Sequence, residues 1–452
     1  MALVGCDSDE KAAGTAADGK PAPAGAATSG AGTGSGSGPV GLATAKPFTG
    51  PAVPGLAGKP SWSVGFSADP PGPSEPVVVA LGSTVVVATP VPSPSVPYEY
   101  GVSDHAVRFH RVEFRDAATG TVRKSLQLYG EVSAETWSGK PAIVVRGRTV
   151  VPSDGLSAEK RAWVVEAYDE QATRLGGTEL PALGQAGGRD VRVVDGWVVE
   201  VAGLPGNTTV VRAADRPGTE VRLTCLNSQC GPRPLVAGTV MIQEIAGRQT
   251  LSPGRLAAFD PVTGARRWDT DTVERPVGSD PAAYSTGQLP HLLGAFDGKV
   301  LIGWSTKQFG MGEVLGLHDP VTGKLLATGP TIAEGVSSWF TDPTGKLAVV
   351  SDGDHVAVWE AGTFRTLWQQ ASDEAKIATD AVVGGVLYVN GGKPDRNDGD
   401  VRTMMAIDVR TKQILARNLP NAGIEPIGAG YALYRVPWAI HIFRVENRPA
   451  QS

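Results

Sequence analysis

A short hairpin phrase that recurs along the chain is the feature that most limits how it can fold. The stretch Arg255–Phe259 alternates apolar and small side chains, as a strand with one buried face does. Asp260-Pro-Val-Thr-Gly264 then supplies a turn, and the return strand ends at Trp268. Related phrases end at Gly120, Gly323 and Lys412. Such a repeated unit predicts a repeat protein, in which each copy buries its apolar face against the next.

Between these hairpins the chain consists of short Val-rich runs separated by Gly, Pro, Asp and Asn, without long helical periodicity. Seven units, spaced at about 40 to 65 residues, precede an eighth that has only three strands. Ser61–Phe66 alternates like the missing strand, and its Trp62 matches Trp268. A ring of blades hides its sheet edges when the N-terminal strand completes the last blade. We therefore expect an all-β, eight-bladed β-propeller of four-stranded antiparallel blades, with seven blades as the alternative.

The hairpin phrase also carries a family resemblance. Ala258-Phe-Asp260-Pro-Val-Thr263-Gly264-Ala-Arg-Arg-Trp268 resembles the tryptophan-docking repeat Ala-x-Asp-x-x-Thr-Gly-x-x-x-Trp of pyrroloquinoline quinone (PQQ)-like propellers at every specified position. The resemblance implies that the Trp268 ring packs between neighbouring blades and that the Thr-Gly turn closes the hairpin. Packing between blades, rather than ligand stacking, is also the role we expect for the other strand tryptophans, namely Trp62, Trp163, Trp197, Trp359 and Trp368.

Two kinds of protein share this repeat. Quinoprotein dehydrogenases hold PQQ and a calcium ion in the central channel, whereas the barrel-assembly propeller lipoprotein and other exported propellers bind partners. The chain has no adjacent cysteine pair of the kind found over the quinone, and no motif matches the calcium ligands of those enzymes. We therefore favour a non-catalytic binding or scaffolding module without a cofactor. A PQQ- and calcium-dependent dehydrogenase is the alternative, and an extracellular ligand-sensing domain is a third hypothesis.

The N-terminal residues point to a membrane anchor. Leu3-Val4-Gly5-Cys6 resembles the lipobox of bacterial lipoproteins, which implies that Cys6 carries diacylglycerol after signal cleavage. No charged or apolar signal region precedes it here, so we expect the true start codon to lie upstream. Residues 7–59 are almost wholly Gly, Ala, Pro, Ser and Thr, a composition typical of a disordered, flexible tether. The predicted divisions are a signal remnant at 1–6, the tether at 7–59, the propeller at 60–446 and a tail at 447–452.

The remaining cysteines and the bulk composition fit an exported protein. Cys225 and Cys230 lie five positions apart, and Asn227-Ser228 between them lets the chain turn back, which favours a disulfide bond over a metal pair. The formal net charge of −5 argues against a nucleic-acid surface. Abundant Ala, Gly and Pro suggest a high-GC bacterium, so we expect an actinobacterial-type lipoprotein, monomeric, on the outer face of the cytoplasmic membrane.

Candidate binding residues lie in the loops between second and third strands. The longest such loop runs from Thr89 to His105, is stiffened by prolines, and exposes candidate partner contacts at Tyr98, Tyr100 and His105. A second loop, from Trp304 to Gly312, offers Trp304 and Phe309. Both could equally be spacers. A weak calcium candidate combines Asp395, Asn397, Asp398 and Asp400, but its spacing is out of register with an EF-hand, so a solvated loop is favoured. The six histidines form no grouping typical of a catalytic site.

Overall fold

The computed structural model describes most of the chain after residue 46. The described ranges are 47–65, 76–91, 109–129, 131–138, 140–151, 160–180, 191–194, 197–202, 208–213, 220–224, 229–236, 238–245, 254–282, 290–306, 312–342, 346–360, 363, 365–391, 403–420, 423–436 and 439–446. Within these ranges there is no helix of the length and hydropathy needed to span a membrane.

Strands dominate the described residues, and four consecutive strands pair antiparallel in each sheet. The first four blades contain, in chain order, β2 (Val77–Leu81), β3 (Thr84–Val91), β4 (Phe109–Asp116) and β5 (Val122–Tyr129); β6 (Glu131–Trp137), β7 (Lys140–Val151), β8 (Lys160–Tyr168) and β9 (Arg174–Leu180); β10 (Val191–Val194), β11 (Trp197–Ala202), β12 (Thr208–Ala213) and β13 (Glu220–Thr224); and β14 (Gln229–Val236), β15 (Thr239–Ile245), β16 (Gly254–Phe259) and β17 (Arg266–Asp269).

The other four blades follow the same plan. They contain β18 (His291–Phe296), β19 (Lys299–Ser305), β20 (Glu313–His318) and β21 (Leu325–Ile332); β22 (Ser338–Thr341), β23 (Leu347–Ser351), β24 (Val356–Glu360) and β25 (Arg365–Gln369); β26 (Ile377–Val383), β27 (Val386–Gly391), β28 (Thr403–Asp408) and β29 (Ile414–Pro420); and β30 (Gly423–Gly428), β31 (Tyr431–Val436), β32 (Ala439–Arg444) and β1 (Trp62–Gly65). The described residues thus form eight four-stranded sheets.

The sheets stand in a ring. The first strand of each blade contacts the first strand of neighbouring blades: β2 lies against β6 and β30, β10 against β6 and β14, and β26 against β22 and β30. Strand β14 also contacts β18, and β21 of blade five contacts β24 and β25 of blade six. These contacts lead from blade one to blade eight and back to blade one. The expectation of an all-β propeller with four-stranded antiparallel blades is confirmed.

Antiparallel order gives the ring two different ends. Within a blade, the first-to-second and third-to-fourth connections lie at one end, which we call the turn end; it includes the repeated Asp260–Gly264 turn. The second-to-third connections and the links between blades lie at the opposite end, which we call the loop end. In blade one, β3 ends and β4 begins at the loop end, and Thr89 itself belongs to strand β3.

Closure by the N-terminal strand is also confirmed. Strand β1 pairs antiparallel with β32, and the register places Trp62 opposite Ile442 and Gly65 opposite Ala439. The amide of Ser61 extends the pairing by donating to the carbonyl of Ile442 at 2.7 Å. Blade eight is therefore built from both ends of the folded region, and its fourth strand cannot be removed without exposing a sheet edge.

The packed region begins earlier than the boundary at residue 59 that composition predicts. Phe48 lies against the rings of Tyr434, His441 and Phe443, with centroid distances of 5.2 to 5.4 Å. Val53 and Leu56 are buried in the core between blades seven and eight. The tether boundary is corrected accordingly, because a few apolar side chains in a Gly- and Pro-rich segment suffice when a groove between blades receives them. Residues 1–46 and 447–452 lie outside the described ranges.

Backbone hydrogen bonds hold this early segment in place. Ala57 donates to Arg444, Glu446 donates to Gly55 at 3.0 Å, and Leu56 forms an antiparallel bridge with Val445. The Tyr388 hydroxyl donates to the carbonyl of Pro54. We call residues 48–57 the N-terminal segment. It joins blade seven to blade eight beside the strand that closes the ring.

Candidate functional site

The repeated turn is built around its aspartate. The carboxylate of Asp260 accepts hydrogen bonds from the amides of Val262 and Thr263, each at 2.8 Å, and Gly264 completes the turn with φ of 72°. These bonds, led by that of the Thr263 amide and joined by Arg267, hold the pKa of Asp260 at about 2. The turn is therefore ionised and preorganised at any ordinary pH.

Trp268 packs as the family resemblance implies, and its partner is the equivalent turn of blade five. The indole Nε1 donates to the carbonyl of Pro320 at 3.0 Å, and the ring covers Gly323. A Cβ at Gly323 would lie 2.7 Å from Cγ of Trp268, so only glycine leaves room for the ring. We call this arrangement, a tryptophan in one blade bonded to the turn of the next, a docking latch.

Two further docking latches occur in the described residues. Trp62 donates to the carbonyl of Ala117 at 3.0 Å and covers Gly120, which joins blade eight to blade one. Trp368 donates to the carbonyl of Val409 at 2.7 Å, which joins blade six to blade seven. Sequence reasoning read only Trp268 as part of a complete motif, because the tryptophan and its acceptor turn belong to different blades.

A second contact in each latch comes from the residue that precedes the turn aspartate. In the latch that closes the ring, the guanidinium of Arg115 lies 5.6 Å from the centre of the Trp62 ring. At the joint of blades four and five, the His318 ring stacks on Trp268 at 6.3 Å with an interplanar angle of 24°. Ile407 packs in the same apolar cluster as Trp368. The same backbone position therefore holds a guanidinium, an imidazole or an aliphatic side chain in the three latches.

The structure contradicts one predicted partner contact. Trp304 lies in β19 and is fully buried, with its ring tilted against His318 at a centroid distance of 5.5 Å. It belongs to the core between blades four and five, because the strand continues one residue beyond it before the loop begins. Its large side chain faces the neighbouring blade and not the solvent.

The other predicted site residues lie outside the described residues. This holds for Cys6, for the loop residues Tyr98, Tyr100, His105 and Phe309, for Cys225, and for the calcium candidates Asp395, Asn397, Asp398 and Asp400. Cys230 falls in β14, where it is paired with Glu244 in the strand register. The disulfide, the lipid anchor and the loop contacts therefore stay predictions.

A group of polar side chains in blades five to seven was missed by the sequence analysis. His291 opens β18, and its Nδ1 lies 2.8 Å from Oε1 of Glu313, which opens β20. The other carboxylate oxygen of Glu313 accepts a hydrogen bond from the amide of Val336 at 2.9 Å. Gly303 leaves space for the imidazole, since a Cβ there would lie 2.9 Å from Cε1 of His291. The carboxylate thus fixes the ring, and Nε2 is the atom that can meet a bound group.

The polar group continues into the next blades. Ser338, which opens β22, and Thr379 of β26 have their hydroxyl oxygens 3.0 Å apart. The adjacent Asp380 lies at a break in the β26 register, and its carboxylate accepts a hydrogen bond from the amide of Ile424 in β30. Burial raises the pKa of Asp380 despite that bond. We call His291, Glu313, Ser338, Thr379 and Asp380 the polar arc.

The polar arc can offer hydrogen bonds to a ligand that carries hydroxyl, amide or ammonium groups. His291, Glu313 and Ser338 are each the first residue of a strand that follows a loop-end connection, so the arc lies toward the loop end of the ring. In the described ranges no three His, Cys, Asp or Glu side chains converge as metal ligands. A lone histidine opening a strand carries no sequence pattern, and its carboxylate partner is 22 positions away, so no local signal could have identified the pair.

Comparison with known proteins finds only distant structural similarity. No family model and no curated protein matches the chain. Among solved structures, the computationally designed Ika8 protein is 14% identical, covering 82% of this chain and 98% of its own, with a TM-score of 0.42. The Dos1 propeller is 12% identical, covering 83% and 97%, with a TM-score of 0.40. The Swd1 β-propeller domain of Myceliophteria thermophila is 11% identical, covering 71% and 95%, with a TM-score of 0.36. The ring of sheets described above is what identifies this chain as a β-propeller.

Proposed function

We propose that this chain is an exported, lipid-anchored propeller that acts as a non-catalytic binding or scaffolding module at the outer face of the cytoplasmic membrane. The observation that carries the proposal is that the ring is completed within residues 48–446, by β1 and the N-terminal segment. Residues before this region are therefore not required for closure and suit a tether. Their Gly, Ala and Pro content and the lipobox-like Cys6 support the same role.

Membership of the exported PQQ-like propellers belongs to this proposal. The latches at Trp62, Trp268 and Trp368 support it, because they use the tryptophan and turn positions of that repeat. A quinone site of the dehydrogenase kind would need a calcium ligand set at the ring centre. Within the described residues, the polar arc provides only separated carboxylates that are bonded to His291 and to the amides of Val336 and Ile424. These residues do not fit such a set.

The loop end is the binding face in this proposal. The polar arc lies toward that end of the ring, where β3 of blade one ends at Val91 and β4 begins at Phe109. The repeated turns at the opposite end are engaged in latches, as Ala117, Pro320 and Val409 show. A protein or cell-envelope partner with hydrogen-bonding groups would match the arc, and Tyr98 and Tyr100 would add aromatic contacts.

Lipid labelling tests the anchor. In cells that express the protein from its own locus, an alkyne analogue of palmitate should label the wild type, and the Cys6→Ser variant should lose both the label and its place in the membrane fraction. Cys225→Ser is the matched control and should keep both. Retention of label by Cys6→Ser would overturn the anchor.

Site-specific cross-linking tests the binding face. A photo-reactive phenylalanine analogue at Tyr98 should give cross-linked products on intact cells. The same analogue at Val262, which is exposed at the turn end, should not. Equal cross-linking at both positions would contradict a binding face at the loop end. Dye reduction by the purified protein after addition of PQQ, calcium and an alcohol would instead establish the dehydrogenase alternative.

A further inference from the structure

His318 is a buried histidine at the centre of the docking latch between blades four and five. It ends β20 directly before the turn on which Trp268 docks, and none of its surface is exposed. Its Nδ1 lies 3.0 Å from the carbonyl oxygen of Gly323. A carbonyl oxygen only accepts hydrogen bonds, so Nδ1 carries the hydrogen of the neutral ring and Nε2 is the bare nitrogen. Nε2 has no hydrogen-bond partner among the described residues.

Neighbouring side chains confine the imidazole of His318. Trp268 stacks on one side and Trp304 lies tilted against it, with centroid distances of 6.3 and 5.5 Å. Gly316 faces the same space, where a Cβ would lie 2.7 Å from Nε1 of Trp304 and 2.8 Å from Nε2 of His318. A second proton on the imidazole would therefore place an imidazolium N–H in a buried pocket between two indoles, without an acceptor among the described residues.

The charged groups around this pocket do not compensate for such a proton. The carboxylate of Asp319 is held by the amides of Val321 and Thr322. Lys299 lies next to Val300, which is paired with His318 in the strand register. Arg267 is hydrogen-bonded to Thr239 and Asp260. Glu274, in the connection after β17, favours the charged ring, but desolvation is the larger effect and lowers the pKa of His318.

We propose that His318 makes the joint between blades four and five acid-sensitive. Uptake of a proton from solvent at Nε2 drives the ring out from between Trp268 and Trp304 and undocks Trp268 from Gly323. Arg115 and Ile407 occupy the equivalent position in the other two latches. The side chain at this position is a guanidinium in one latch and an alkyl group in the other, so neither holds an imidazole there. Acid therefore loosens one joint of the ring selectively.

Hydrogen exchange measured by mass spectrometry on the full chain tests the proposal. Peptides that cover 254–270 and 313–325 report on the joint between blades four and five. They are compared, after correction for intrinsic exchange, with peptides that cover 365–369 and 403–412 of the Trp368 latch, which we call the Ile407 latch. Opening of the blade four–five joint in the wild type should rise by up to about tenfold for each pH unit below about 6.5, because opening takes up one proton. The Ile407 latch should show no comparable rise.

Two variants provide the controls. His318→Phe places in blade five the residue that Phe259 supplies at the same position of blade four, and it should remove the acid response. His318→Gln keeps an amide donor for the Gly323 carbonyl without titrating, and it serves if the Phe variant does not fold. The proposal is overturned if wild-type exchange at this joint rises no more than at the reference latch. An undiminished acid response in a folded variant would overturn it too.

Discussion

The latch that closes the ring and the latch between blades four and five share a hydrogen bond from the indole to a backbone carbonyl but differ in what supports the tryptophan. At the closure, Arg115 lies over Trp62 and is paired with the buried Glu113, so a permanent charge is neutralised beside the ring. At the other joint, His318 supports Trp268, and in the described part of the chain no carboxylate is bonded to it. The repeated turn therefore fixes the position of the indole. The residue before the turn aspartate determines whether the stability of the joint depends on pH.

Removal of the indole should have the largest effect and should separate the two latches. Trp268→Ala and Trp62→Ala should each lower the free energy of unfolding by about 3 to 5 kcal/mol, because the hydrogen bond and a large ring are lost, buried at Trp268 and partly buried at Trp62. Urea denaturation measures this. In Trp62→Ala, residues 61–65 should also exchange hydrogen faster, because β1 lies at the edge of its sheet and, of the described strands, β32 is its partner. Equal protection of β1 in both variants would show that the latch does not hold the closing strand.

The N-terminal segment should contribute nearly as much as a latch. Leu56→Ala should lower the free energy of unfolding by about 2 to 4 kcal/mol, because Leu56 is buried between blades seven and eight. Val262→Ala is the control, since Val262 is more than half exposed and its loss should change the free energy by less than about 0.5 kcal/mol. A similar change in both variants would place the segment outside the cooperative fold.

The fit of a tryptophan over its glycine can be measured with a matched pair of turns. Gly323 and Gly298 both have φ near 70°, but a Cβ at Gly298 meets no atom within 4 Å. Gly298→Ala should cost about 1 kcal/mol for the left-handed backbone. Gly323→Ala should cost about 2 kcal/mol more, because the methyl group meets both Val273 and Trp268. Thermal unfolding of the two variants gives the difference, and a difference near zero would mean that the ring can move aside.

The smallest effect concerns acid and the two buried histidines. Burial lowers the pKa of His318, and also that of His441, which lies 2.7 Å from the Ser63 hydroxyl across the β1–β32 pair. Above about pH 6.5 both are neutral in the folded and unfolded states. As the pH falls below 6.5 the unfolded state binds protons first, so stability decreases until the lowered pKa values are passed. The melting temperature should therefore drop between pH 7 and 5, and by less in a His318→Phe/His441→Phe variant.

The sequence was sufficient wherever structure depends on residues close together in the chain. The Asp260–Gly264 turn, its flanking strands and the alternating strand at Trp62 all follow from local pattern, and the structure confirms them. The N-terminal segment was misread because Val53 and Leu56 are rare apolar residues in a tether-like composition, and only the groove between blades seven and eight gives them a place. Trp304 was misread because its burial depends on His318 and Gly316 of the adjacent strand. The His291–Glu313 pair likewise exists only once the ring has formed.

The hydrogen bond between Glu446 and Gly55 brings the C-terminal boundary of the folded region beside the N-terminal segment, which begins at Phe48. A short peptide could therefore join them, and the polypeptide could be cut instead at the Gly298 turn, where no neighbouring atom crowds the backbone. Such a circular permutant would keep every pairing of blade eight while making it one continuous sheet. Strand β1 would then no longer close the ring from a distant part of the sequence. Blade five would instead be assembled from the two ends of the chain.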